Sequence, residues 1–123
     1  MEKISKLQIS AILKIPKGKL EEFKQAAAEE IRGISERDTG TLKFDIFISS
    51  DQTEGEIRIE FKNSKAVLEH IANHGEESVS SFIDHVNIYG DPSPELLETA
   101  KGKGFDIRVY SFSQGLEKMI EAQ

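Results

Sequence analysis

"TLKFDIFISSDQTEGEIRIEF", residues 41 to 61, decides how the rest of the chain is read. Leu42, Phe44, Ile46 and Ile48 alternate with polar neighbours, and Ile57, Ile59 and Phe61 alternate with Glu56, Arg58 and Glu60. Both runs have the two-residue period of strands buried on one face. Between them "SSDQTEG" (49 to 55) is rich in turn formers and short enough for a hairpin, so the two strands should pair antiparallel. Phe47 is the apolar exception on the polar face of the first run.

Upstream, Leu7, Ile9, Ala11, Leu13 and Ile15 alternate in the same way, with Ile12 breaking the polar face. "PKGK" (16 to 19) stops that strand, and Leu20, Phe23, Ala27, Ile31 and Ile34 then recur every three or four residues as an amphipathic helix. "ERDTG" (36 to 40) breaks the helix before the hairpin. Downstream, Asn63 or Ser64 can cap a second helix, since a short side-chain oxygen accepts an otherwise unpaired first-turn amide. Gly75 should interrupt it, Val79, Phe82 and Ile83 continue an apolar stripe on a short helical piece, and "DHVNIYG" (84 to 90) reads as a fourth strand. "DPSPELLETAKGKG" (91 to 104) predicts a turn, a helix opened by proline and a glycine stop, and "FDIRVYSF" (105 to 112) a last strand.

The order β-α-β-β-α-β with a helix and strand appended is α+β, of ferredoxin-like type with an antiparallel sheet. At 123 residues and 37% hydrophobic the chain fits one domain, 1 to 123, with a core of about 5 to 90 and an extension of about 91 to 123. Helices on one face leave the other sheet face open, and Ile12 and Phe47 lie there, so a homodimer through that face is expected. A net charge of -6 disfavours nucleic acid, and zero cysteine excludes disulfides, thiolate metal sites and cysteine nucleophiles. No apolar run is long enough for a membrane span and no signal peptide is apparent, which points to a cytoplasmic location.

His70 and His74 lie one helical turn apart in "EFKNSKAVLEHIANHG" (60 to 75), the minimum of a zinc face. No third ligand completes a recognised spacing, so no metal is expected. On a helical wheel Val67, Leu68, Ile71 and Ala72 form the apolar stripe, with His74 at its edge and His70 farther round, so both can line a cavity rim. His70 reads either as a half-buried helix residue bonded to a strand or as a proton acceptor, because imidazole titrates near neutral pH. Phe23, Phe44, Phe61 and Phe82 read as core or as walls of an aromatic pocket. "AEE" (28 to 30) and "GEES" (75 to 78) read as solvated helix faces, and Arg58 beside Glu56 and Glu60 as a surface or interface charge cluster.

Gly40 with Phe44, then Phe61, Asn63, Ala66 and His70 in "FKNSKAVLEH", resemble the pattern of the antibiotic biosynthesis monooxygenase family, over about Leu7 to Tyr89. The stretch "YGDPSPELLETAKGKG" is similar to an extension in some members. The resemblance implies a dimeric α+β barrel and a monooxygenase that oxidises quinol-like or phenolic small molecules with O2, without flavin, haem or metal. It implies that His70 assists deprotonation while Phe23, Phe44, Phe61, Val67, His74 and Phe82 shape the substrate pocket. Tryptophan is absent, and Phe61 and Phe44 stand where tryptophan and tyrosine are common, which speaks against haem degradation. The alternative is a non-catalytic dimeric module of the same fold that holds a small hydrophobic ligand or a protein.

Overall fold

The computed structural model describes residues 6 to 74 and 79 to 119. Five strands, β1 (Leu7–Lys14), β2 (Thr41–Ile48), β3 (Glu54–Phe61), β4 (Ile83–Tyr89) and β5 (Ile107–Tyr110), form one sheet in the order β2-β3-β1-β4-β5. The first four pair antiparallel, and β5 adds parallel to β4 at the edge. Three helices, α1 (Leu20–Arg37), α2 (Ser64–His74) and α3 (Pro94–Gly102), complete the α+β architecture, with a 3-10 turn at Val79–Phe82. Among the described residues no helix is long and apolar enough to cross a membrane.

Alternation in β1 and β3 sends their aliphatic side chains to the helical side. Ile9 lies between Ile59 and Ile88, and Ala11 between Ile57 and Val86, in rows of small and branched side chains across the sheet. Phe23 of α1 is fully buried and meets Phe82 edge to face, with ring centres 5.5 Å apart. Burying a side chain of that size stabilises the fold by about 1.5–3 kcal/mol. The hairpin closes on the Asp51 carboxylate, which accepts from Ser49 Oγ at 2.8 Å and from Thr53 N and Oγ1 at 3.1 and 2.8 Å. Those bonds hold Gln52 in the left-handed region at φ 62.

Asn63 caps α2, its Oδ1 accepting from Ala66 N at 2.9 Å. Ser64 instead ties in the extension, its Oγ accepting from Ser93 N at 2.9 Å, while Ser93 Oγ caps α3 by accepting from Leu96 N. Gly40 is required by a close approach, because a Cβ there would overlap that of Ala66 as the chain enters β2 beneath α2. The expected break at Gly75 and the "GEES" face lie outside the described residues.

Three expectations about individual side chains are corrected. Leu42 is 55% exposed, because the register of the edge strand β2 shifts between Thr41 and Lys43 and turns Leu42 out of the alternation. Ile31 is also exposed, whereas Glu30 is buried. Glu30 follows Phe23 by seven residues and Ala27 by three, which places it on the core-facing stripe of α1. The reading of "AEE" as a solvated face therefore fails at Glu30 and holds for Glu29.

Candidate active site

Between the sheet and the helices lies a cavity of about 420 Å³. Ile9, Ala11, Ile57, Ile59, Val86 and Ile88 form its floor, and Val67, His70, Ile71 and His74 of α2 lie on its helical side with Glu30 of α1. The residues of α3 and the chain leading to β5 close the far side through Leu96, Ala100, Lys103 and Phe105.

One carboxylate organises the polar end. Asp38, the residue that ends α1, accepts His70 Nδ1–H on Oδ2 at 2.7 Å and His74 Nε2–H on Oδ1 at 2.9 Å. Its remaining acceptor positions are filled by Thr41 Oγ1 at 2.7 Å and Asn73 Nδ2 at 2.9 Å. The Asp38 side chain is only 1% exposed. Burial alone would raise its pKa, but the bonds from Asn73, His70, Thr41 and His74 outweigh burial and hold the carboxyl at about 2.

With Nδ1–H committed to Asp38, His70 presents Nε2 on its other side, 3.4 Å from Glu30 Oε2. Burial disfavours the imidazolium, yet the two flanking carboxylates, Glu30 and Asp38, more than compensate and raise the His70 pKa above its ordinary value. The ring is fixed by packing as well: Phe61 meets it at 5.4 Å between centres, His74 at 4.5 Å and Phe44 at 6.5 Å. Gly33 makes room on α1 for His74, since a Cβ there would stand 3.0 Å from His74 Cε1.

The residues singled out in the sequence divide into two groups. His70, His74, Phe61 and Val67 line the cavity. Phe23 and Phe82 pair with each other in the packed interior, and Phe44 reaches the site only through the His70 ring; none of the three lines the cavity wall. Sequence reasoning missed Asp38, which read as part of a helix-breaking stretch, and Glu30. The 23, 27, 30 spacing on α1 was the available signal for Glu30. Asp38 is 32 residues from His70, and no local pattern joins them.

Asp38, His70 and His74 each offer a ligand atom within 4.8 Å of the others, as many protein ligands as a catalytic zinc takes. The direct N–H···O contacts already satisfy these groups. In this hydrogen-bonded form the arrangement holds the imidazole of His70 between two carboxylates, which favour positive charge on the ring.

No protein-family model and no curated protein sequence matches this chain. Solved structures do. MupZ from Pseudomonas fluorescens aligns with a TM-score of 0.74 at 19% identity over 93% of this chain and 95% of MupZ. A Nitrosomonas europaea protein provisionally assigned as an antibiotic biosynthesis monooxygenase aligns at 0.60 and 21% identity, over 76% of this chain and 97% of that one. A third, from Bacteroides thetaiotaomicron and provisionally assigned in the same way, gives 0.58 and 18%, over 73% and 90%. The fold is the ferredoxin-like α+β fold of these structures, two of which are provisionally assigned as antibiotic biosynthesis monooxygenases. The share aligned with MupZ is too large to leave out the α3 and β5 extension, so this chain and MupZ have that addition in common.

Proposed function

We infer that the protein is a cofactor-independent monooxygenase of quinol-like or phenolic small molecules, acting as a homodimer. The observation that carries this reading is His70, set in the wall of an apolar cavity with Nδ1 held by Asp38 and Nε2 beside Glu30. A substrate hydroxyl in the cavity gives its proton to Nε2, and the two carboxylates stabilise the imidazolium that forms. The anion left behind is electron-rich enough to reduce O2. For a substrate with a CH2 conjugated to the hydroxyl, that carbon becomes C=O; one oxygen atom of O2 enters the product, the other leaves as water, and the substrate supplies all four electrons. The fold shared with the provisionally assigned monooxygenases supports this chemistry.

The outer sheet face supports the homodimer. Phe47 is 51% exposed there with the Arg58 guanidinium 5.7 Å above its ring, and Tyr89 of β4 stacks on Tyr110 of β5. Arg58 also reaches Glu56, which accepts from buried Ser10 Oγ at 2.6 Å, so the face is already partly ordered for a second copy.

Oxygen uptake by metal-stripped protein with a panel of quinols and phenols tests the reading, beside His70→Ala checked for folding by circular dichroism. The expected outcome is turnover that survives metal removal and falls about 10²-fold or more in the variant. Equal rates in the two proteins would refute the role of His70. Binding across the panel without turnover would leave the non-catalytic module.

A further inference from the structure

The cavity wall is mostly aliphatic, and this bears on what the site accepts. Across the floor and roof stand Ile, Val, Leu and Ala side chains, with aromatic rings only at the ends, Phe61 next to His70 and Phe105 after α3. Flat fused-ring substrates gain most from stacking on aromatic faces, whereas branched aliphatic walls suit flexible alkyl groups that fill irregular space by rotation.

The polar groups of the cavity are also separated. Glu30, His70 and His74 form one cluster, with His70 packed on Phe61 of β3 and near Phe44 of β2. Lys103 follows α3 and leads through Phe105 into β5, at the opposite edge of the sheet order β2-β3-β1-β4-β5. It is exposed and is the one lysine or arginine among the described lining residues, and Ser80 and Ser81 are the remaining polar lining groups. Lys103 is the side chain on that wall able to receive an anion in solvent, while the buried carboxylates at the other end repel one.

Resting on the proton-acceptor reading of His70, we propose that the substrate is amphipathic: a single-ring quinol or enol head at His70, an alkyl body along the aliphatic floor, and a carboxylate at Lys103. An enol head carries the CH2 oxidation balanced above; in a quinol head a ring C–H becomes C–OH as the quinol becomes quinone, one oxygen atom of O2 entering the ring, the other leaving as water, and the head supplying all four electrons. The body and the acid group supply binding and orientation. Fused polycyclic phenols, which find few aromatic faces along these walls, bind more weakly.

The test is calorimetric binding in the absence of O2, so that no turnover intervenes, with three probes. These are a monocyclic hydroquinone with a carboxyl-terminated alkyl chain, the same hydroquinone with a neutral alkyl chain, and a fused three-ring phenol. Both tailed probes should bind about tenfold or more tighter than the fused phenol, as burial of a few methylenes requires. The acid should exceed the neutral tail by up to about fivefold, the strength of an exposed ion pair. Lys103→Glu, a surface change that leaves the core intact, should abolish the acid preference and leave the neutral probe unchanged. A fused phenol that binds as tightly as the tailed probes, or an acid preference that survives in Lys103→Glu, overturns the proposal, as does failure of both tailed probes to bind. His70→Ala separates the two readings: it should keep the tail preference while losing oxygen uptake. Tail preference in a wild-type protein that never consumes O2 would refute the oxygenase and leave the ligand class standing.

Discussion

Replacing Asp38 with asparagine keeps the shape of the side chain and removes the charge on which four donors converge. The wild-type carboxyl is held at about 2 against 3.8 in the unfolded chain, a difference worth about 2 kcal/mol of stability near neutral pH. The asparagine also turns one acceptor into an NH2 that faces the N–H or O–H groups of His70, Thr41, His74 or Asn73, and an unmatched buried polar group costs about 1–3 kcal/mol. The expected loss is about 3–5 kcal/mol, in the range for breaking a buried charged pair. Urea unfolding across pH, at one protein concentration, measures it. The depressed Asp38 contributes stability that is complete above 3.8 and is lost as pH falls through about 2. His70, whose pKa is raised, contributes stability that is complete below 6.5 and is lost as pH rises through its folded-state value. The gap between wild type and Asp38→Asn should therefore be widest between 3.8 and 6.5 and should narrow on both sides. A gap that keeps the same size below 3.8 and above 6.5 as it has between them would refute the charge-relay account and reduce Asp38 to a packing residue.

Gly40→Ala should lower stability by about 1–3 kcal/mol, because the new methyl meets Ala66 on α2 where neither backbone can move freely; an unchanged unfolding midpoint would contradict that close approach. Phe47→Asp should shift the protein toward monomer in light scattering at micromolar concentration without lowering monomer helicity, and an undiminished dimer would remove the outer sheet face as the interface. In a productive assay the acid limb of kcat/KM should lie above the ordinary imidazole value of 6.5, since His70 must shed its proton to accept another. Glu30→Gln should move that limb down, and a limb already at or below 6.5 in the wild type would argue against a base clamped by two carboxylates.

The elements were legible in the sequence where local periodicity is strong. Strand alternation around Ile9, Ile57 and Ile59, a cap at Asn63 or Ser64, and the proline opening α3 are effects within a few residues, and local sequence expresses them directly; the cap at Ser93 went unread. The edge strand was read less well, because the bulge at Leu42 depends on how β2 pairs with β3. The candidate site was half legible. His70 and His74 declared themselves by one-turn spacing and a helical wheel, whereas Phe23 and Phe82 were equally consistent with core and with pocket until their edge-to-face contact placed them in the interior.

What the sequence by itself determined is the order of elements, the apolar faces they bury and the availability of an imidazole near the sheet, since these follow from chain-local geometry and burial. Only the tertiary structure decided what that imidazole can do. It carried Asp38 from the end of α1 and Glu30 from a buried helix face to opposite nitrogens of one ring, across separations of 32 and 40 residues. The pKa values of such groups are set by distance and desolvation, and both exist only once the helices have packed on the sheet.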